Sequence, residues 1–581
     1  MDRRKFLSVS STGIAGATIA GSSGAEGKEK PGAPSPDNDP ASPLQAELRF
    51  IEEKTGQNPF RFSRTSERPP NIFLITMDMV SPDFYQPSRP LSQKLHLPTL
   101  RGLMNDGIFF RNAFCTVPLC SPSRASYLTG RYAYVLGNGE RALDGLDTEL
   151  RPNDVIFPEY LKATGYVTKQ CGKCHVGTKK FIDAFGENDN PWNRWSPPIY
   201  DDDIYLEYER QLRVKYQRYS REIVLLQRDR KTPGNSVGGW IVQADGKPFP
   251  FEAQYSHYLV HRAIDKLEDA LTSPSTRGRP IYLQLDIFDP HQPLSVPEGF
   301  EEREKELRAV MTLPETYQKV RARDWKPFPD QPKIYDVYRE DWGLYNPNSL
   351  LDYRVGYVLQ MEVVDRALGL LIRTLKEKGL YDDALIVVMS DHGEMNGRWA
   401  IIDKGVYLYP DVLRTPLVVK MPVSMRIKAH TVDAPVSLLD VAPTLLSVTG
   451  IEPDARMDGQ SLLPYLQGTA TPADRDLIFS CGWHVGVNFA CGIQRWDRNG
   501  GHHLYSYNVS SKIDELYDLN AVEAENLAQE PEYARLRKEM IDRLGALLQS
   551  DPRWLGYWSP YRIDEFFELP KIAGDMQLLP R

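Results

Sequence analysis

Asn71-Ile-Phe-Leu-Ile-Thr-Met-Asp78 is a short, continuously apolar run that stops on a carboxylate. A run of this length without polar alternation reads as a strand buried on both faces, the kind that parallel sheets use. The stretches Pro-Ile-Tyr-Leu-Gln-Leu-Asp at 280–286 and Ala-Leu-Ile-Val-Val-Met-Ser-Asp at 384–391 look the same, and each again ends on an aspartate. Helical periodicities lie between them. The clearest places Val358, Met361, Val364, Leu368, Leu371 and Leu375 at helical steps and stops at Gly379. Buried strands alternating with amphipathic helices predict an α/β fold, a large mixed and mainly parallel sheet sandwiched by helices. In such sheets sites gather at the carboxyl ends of the strands, which is where Asp78 and Asp391 stand.

The texture changes after Gly468. Residues 476–490, 492–496 and 503–507 read as short antiparallel strands, followed by a helix from about 531 to 549. The expected organisation is a catalytic domain over 67–470 and a smaller C-terminal α+β subdomain with a tail over 471–581. At the other end, Arg3 and Arg4 precede Phe6, Leu7 and a weakly apolar run of small residues reaching Ala20. That order is the order of an export signal, and Arg-Arg-Lys-Phe-Leu resembles a twin-arginine signal. The expectation is a signal peptide over 1–27 and a linker over 28–66 with a short helix near 44–53. The protein is then exported by the twin-arginine machinery to a prokaryotic periplasm. It has no membrane span, because the first run is too short and too rich in Gly, Ser and Thr.

A chain of 581 residues exceeds one ordinary core. With 70 basic against 78 acidic residues the net charge is -8, which argues against a nucleic-acid partner. An anionic small substrate stays open, since a pocket can be locally positive on an acidic protein. Six cysteines in this length make no disulfide framework, and the Cys171-x-x-Cys174 pair lacks a second pair at zinc spacing.

The segment that carries chemistry is Leu119-Cys120-Ser121-Pro122-Ser123-Arg124-Ala125, continuing to Leu128-Thr129-Gly130-Arg131. It resembles the signature C-x-P-x-R…T-G-R of the sulfatases, of the alkaline phosphatase-like superfamily. The resemblance implies that a maturation enzyme oxidises Cys120 to formylglycine, whose hydrated aldehyde attacks sulfur and later expels sulfate. It implies further parts in a fixed order. Asp78 and the Ser390-Asp391-His392-Gly393-Glu394 segment match the two metal segments, so that Asp78, Cys120, Asp391 and His392 would hold a divalent cation. Gly172-Lys173-Cys174-His175-Val176-Gly177 resembles G-K-x-H-x-G, whose lysine binds sulfate and whose histidine acts as a base. Asp289-Pro290-His291-Gln292-Pro293 resembles the P-H-x-P segment, whose histidine faces the leaving group, and Lys404 matches a second sulfate-binding lysine. Cys120, Arg124, His175 and His291 are thus the expected catalytic residues, with Lys173 and Lys404 binding a sulfated small molecule or glycan. The resemblance covers about residues 68–550, including Glu515-Leu516-Tyr517-Asp518-Leu519 in the smaller domain.

One position departs from the family. Sulfatases commonly carry two adjacent aspartates at the first metal segment, and here Asp78 is followed by Met79. A thioether is a poor ligand for a hard cation. Water or Asp83 could take the position. Calcium is the first expectation for the ion, with manganese or zinc admitted by the imidazole of His392. Two other readings stay open: a phosphodiester or phosphonate monoester hydrolase of the same superfamily, or an inactive exported binding protein on this scaffold. Residues 181–240 read as an insertion whose Trp192 and Trp195 could stack on a sugar.

Overall fold

Strand β1 (Asn71–Met77) runs inside a seven-stranded sheet, and every residue after its first is buried. The computed structural model describes residues 69–136, 150–186 without 152–153, 247–470 without 293 and 295–296, and 475–551 without 483–487 and 498–499. It also describes the backbone of the antiparallel pair Arg221–Val224 and Trp240–Gln243. The sheet adds β2 (Ile108–Phe110), β3 (Val167–Gly172), β4 (Ile281–Ile287), β5 (Ala384–Ser390), β6 (Leu417–Lys420) and β7 (His430–Val432). Their spatial order is β7-β2-β6-β5-β1-β4-β3. Only β6 runs against its neighbours β5 and β2; the other pairings are parallel. Successive side chains of a strand point to opposite faces, so the unbroken burial along β4 and β5 requires cover on both.

Helices supply that cover. Helix α1 (Cys120–Thr129) is buried along its whole length. Helix α2 (Tyr255–Thr272) packs on β3, β4 and the long helix α3 (Pro347–Glu377). The boundaries of α3 follow from its sequence. The Asn346 side chain caps the N–H of Asn348, Pro347 takes the first position, and Gly379 turns away with φ 66. All six apolar residues of the periodic stripe on α3 are buried.

The second, smaller sheet is antiparallel: β8 (Leu477–Gly482), β9 (Phe489–Trp496), β10 (His502–Asn508) and β11 (Ile513–Asp518), with helix α4 (Ala534–Ser550) against β9 and β10. The strand expected over 476–490 is therefore two, and β11 was not expected as a strand at all. Its acidic residues hide the pattern. Glu515 is buried, yet it accepts from Asn508 Nδ2 at 2.8 Å and from the Tyr517 hydroxyl, so the sheet tolerates it.

The six cysteines form no disulfide, and no described helix is long and apolar enough to cross a membrane. The signal over 1–27, the linker over 28–66 with its helix at 44–53, Trp192 and Trp195 lie outside the described residues. So do the aromatic residues of the tail, Trp554, Tyr557, Trp558, Tyr561, Phe566 and Phe567.

What matters for the site is register. Met77 pairs with Ser390 on one side and Ile287 on the other, so Asp78 and Asp391 leave the sheet as neighbours. Leu74, fully buried between β4 and β5, belongs to the layer that fixes this register. Leu74→Ala should cost about 2–5 kcal/mol, because the lost methylenes leave a cavity that close-packed strands cannot fill. A lower midpoint of chemical denaturation checks this.

Candidate active site

The turns after β1 and β5 are stitched together at the backbone. Met79 has φ 64, a left-handed conformation that aims its N–H at Asp391 Oδ1, 3.2 Å away. Val80 donates to Ser390 Oγ at 3.1 Å and to the His392 carbonyl at 3.1 Å. Two glycines make close approaches that a side chain would forbid. A Cβ at Gly172 would stand 2.0 Å from the Asp286 carbonyl oxygen, and one at Gly393 would stand 1.9 Å from that of Asp411. These contacts bring the Lys173 segment against the end of β4 and the His392 segment against residues 411–414.

Helix α1 delivers Cys120 and Arg124 one turn apart on one face. The Cys120 sulfur lies 3.2 Å from His392 Nε2 and 3.7 Å from Asp78 Oδ1. Arg124, with no exposed surface, reaches Asp391 Oδ2 through Nε at 2.9 Å and Asp78 Oδ2 through Nη2 at 3.3 Å. Ligand atoms of Asp78, Cys120, Asp391 and His392 all lie within 4.8 Å of one another, which is a pocket of the size a cation takes. His392 Nδ1 donates to the Gly393 carbonyl at 2.9 Å, which turns Nε2 toward the cluster.

The cationic residues close around the same point. Lys173 Nζ is 2.6 Å from Asp78 Oδ2. Lys404 Nζ contacts His291 Nε2 and lies 3.0 Å from Asp403 Oδ1. His291 Nδ1 donates to the Gln292 carbonyl at 2.7 Å, so its Nε2 faces Lys404. Glu394 accepts from the Asp403 amide at 2.7 Å and from Tyr353, tying the Lys404 loop to the metal segment. His175, buried and also left-handed with φ 57, interacts with the Cys120 sulfur; its ring has no other hydrogen-bond partner among the described residues.

The charges follow from this crowding. Burial would raise the Cys120 thiol, but Lys173, Lys404 and His392 hold it well below its ordinary value. In Cys115, by contrast, burial and the nearby Asp391 push the thiol well up. Burial and the Cys120 sulfur work to raise Asp78, yet Lys173, His291 and Arg124 bring it to about 2. Asp391 moves upward because burial and Asp78 act on it together. Burial and the adjacent Lys173 push His175 down to about 4, so it is a neutral imidazole at neutral pH.

All nine residues expected from the sequence meet here: Asp78, Cys120, Arg124, Lys173, His175, His291, Asp391, His392 and Lys404. Asp83 does not. Both of its oxygens are taken, Oδ1 by Arg398 at 2.7 Å and Oδ2 by Arg398 and Asn396 at 2.8 Å each, so it cannot replace the missing carboxylate. Three participants were missed. The Met79 amide acts through its backbone, which no side-chain pattern reports. The Ser123 hydroxyl donates to the Asp391 carbonyl. Asp286 bonds Arg124 at 3.4 Å, and an acid inside an apolar run was the available sign.

Comparison with known proteins matches this arrangement to a family. The sulfatase family model covers residues 70–451, and the model described as N-sulphoglucosamine sulphohydrolase, C-terminal, covers 397–550. An uncharacterized sulfatase of Escherichia coli K12 is 25% identical over 478 residues, 81% of this chain and 86% of that protein. The N-acetylglucosamine-6-O-sulfatase of Bacteroides thetaiotaomicron is 24% identical over 519 residues, 82% of this chain and 86% of its own. Among solved structures, the phosphonate monoester hydrolase of Silicibacter pomeroyi superposes with a TM-score of 0.63 at 22% identity, covering 84% of this chain and 96% of that one.

Met79 follows one cluster carboxylate and bonds another through its amide, and aspartate accepts left-handed backbone more readily than methionine does. Met79→Asp should therefore bind a divalent cation more tightly, in a calorimetric titration of chelator-treated protein. Unchanged affinity would mean that the side chain at this position does not reach the ion.

Proposed function

The chain belongs to the sulfatase family, and on that premise we propose that it removes sulfate from an organic sulfate ester, a sulfated carbohydrate first, with formylglycine made from Cys120 beside a divalent cation. That it is a sulfatase enzyme follows from its family and relatives. One observation carries the finer reading. Among five described cysteines with no such surroundings stands Cys120, at the head of α1, within reach of two acids, two histidines and two lysines. A thiol kept in an electropositive, fully buried setting has no packing use for those charges.

The donor set fits a cation. Asp78, Asp391, His392 and residue 120 would hold it, and when bound it would polarise the sulfate oxygens and lower the pKa of a coordinated hydroxyl. Two carboxylates and an imidazole suit manganese or zinc as well as calcium, so the titration includes all three. Formylglycine at 120, as the hydrated aldehyde, supplies the hydroxyl nucleophile.

The chain's own residues do the rest. Lys173 and Lys404 both act on residue 120 and would pair with the sulfate oxygens. Arg124 holds the metal carboxylates, and each of its guanidinium nitrogens already has a partner. His175 is unprotonated at neutral pH and lies against residue 120, the position of a general base for its hydroxyl. His291 donates through Nδ1 to the Gln292 carbonyl and meets Lys404 at Nε2, the atom that would face the leaving oxygen.

Carbohydrate sulfates are the proposed class because Bacteroides thetaiotaomicron contributes a sugar sulfatase that aligns over most of both chains. The likeness to a phosphonate monoester hydrolase is one of fold, and a phosphonate monoester belongs in the assay as the competing substrate. Export by the twin-arginine machinery, periplasmic residence and processing by a formylglycine-installing enzyme are proposed on Arg3 to Leu7 and on the Cys120 motif.

Mass analysis of the peptide containing residue 120 should show the thiol converted to aldehyde. Cys120→Ala should remove turnover of a sulfated sugar while circular dichroism and the denaturation midpoint stay near wild type. Retention of even a tenth of wild-type activity would sink the mechanism.

The two histidines separate by leaving group. A sugar alcohol leaves poorly without a proton, whereas an activated phenol does not need one. His291→Ala should thus slow a sugar sulfate by roughly 10²–10⁴-fold and an aryl sulfate far less. His175→Ala should slow both alike. Equal losses in both variants on both substrates would show the roles to be wrongly divided.

A further inference from the structure

We propose that Asp286 is a positioning residue of the metal site: it anchors Arg124, so that Arg124 turns the inner oxygens of Asp78 and Asp391 toward the ion, and it offsets a buried positive charge that position 79 leaves uncompensated. The inference rests on the reading of Asp78, Asp391 and His392 as ligands.

Asp286 stands near the end of β4 and has no exposed surface. Every oxygen of its carboxylate is engaged. Oδ2 accepts from Gln284 Nε2 at 2.8 Å and from Gln170 Nε2 at 3.0 Å, while the Tyr282 hydroxyl fixes Gln284 Oε1 at 2.7 Å. Oδ1 faces Arg124 Nη1 at 3.4 Å and the Tyr127 hydroxyl at 3.5 Å. Such a set of amides and hydroxyls around one acid, deep in a fully buried strand, does not serve packing. It holds the carboxylate at one place, opposite Arg124.

The far side of Arg124 shows what that placement achieves. Its Nε and Nη2 take the Oδ2 atoms of Asp391 and Asp78. Their Oδ1 atoms are left turned inward, 3.8 Å and 3.7 Å from His392 Nε2, with Asp78 Oδ1 also 3.7 Å from the Cys120 sulfur. The guanidinium thus takes the outer oxygen of each acid and leaves the inner one facing the cluster, where Asp391 Oδ1 also accepts the Met79 and His392 amides at 3.2 Å and 3.0 Å. A guanidinium so close to two ligands also repels that cation. Asp286 is the acid on Arg124 that does not face the cluster, so it lowers the repulsion without occupying the site. Asp83, the other acid in the loop after β1, is committed to Arg398.

The test is metal affinity measured directly. Chelator-treated wild-type protein, Asp286→Asn and Asp391→Asn are dialysed to equilibrium against calcium and, separately, manganese, and bound metal is counted. Asp391→Asn removes a ligand and serves as the reference for loss. Asp286→Asn keeps shape but not charge and should bind about 10- to 100-fold more weakly, the range found when outer partners of metal ligands are removed. Asp286→Glu, which restores the charge, should recover part of the loss, and Asp286→Ser is the substitute if the Asn variant does not fold. Affinity equal to wild type in Asp286→Asn, with only the denaturation midpoint lowered, overturns the proposal and leaves the metal site standing. If the wild-type protein binds neither ion, the reading of the ligands fails, and the proposal falls with it.

Discussion

A single arginine without solvent contact ties the site together. Arg124 bonds the ends of β1, β4 and β5 through Asp78, Asp286 and Asp391, and also takes the Lys173 carbonyl at the end of β3. Taking a guanidinium and three carboxylates out of water is expensive, and their mutual attraction repays it only when the geometry is good and every hydrogen-bonding position is used. That condition makes the arrangement unforgiving. Loss of one partner strands a buried charge, so strand ends, helix α1 and the Lys173 segment have to arrive together or not at all.

The parallel sheet makes the arrangement possible. Three strands running in one direction bring their carboxyl ends to one edge, and the in-register pairing of β1 with β5 makes neighbours of acids more than three hundred residues apart in sequence. The helix that follows contributes its first turn, where unbonded amides favour a negative group at Cys120. Lys173, Lys404 and Arg124 then surround a point with two acids, so a protein of net charge -8 builds a local welcome for a sulfate.

Met79 gives the site its individual character. In place of a second acid the chain puts a left-handed turn whose amide bonds Asp391. On the proposed reading the ligand set would be less anionic and less purely oxygen than the family commonly offers, which would shift the balance among hard and borderline cations. Charge missing on the inner side of Arg124 is matched by Asp286 on its outer side.

Much of this was legible in the chain order. Apolar runs of strand length identify β1, β4 and β5, since burial on both faces leaves no room for polar residues. The residues that meet at the candidate site were legible too, because a cysteine, its arginine and cations in that fixed order have little structural alternative. Local sequence failed where a polar residue is buried with partners supplied from elsewhere: Glu515 in β11, paired with Asn508, and Asp286, paired with Gln170 and Arg124. Such residues look exposed until the fold brings the partner. The fate of Asp83 was likewise decided by Arg398, far along the chain, and the use of Met79 by its backbone angle. Sequence by itself determined which chemistry the protein carries, because that chemistry depends on side-chain identity. Only the tertiary structure decided which acids face the cation and which face an arginine, because that depends on contacts between segments that sequence separation does not encode.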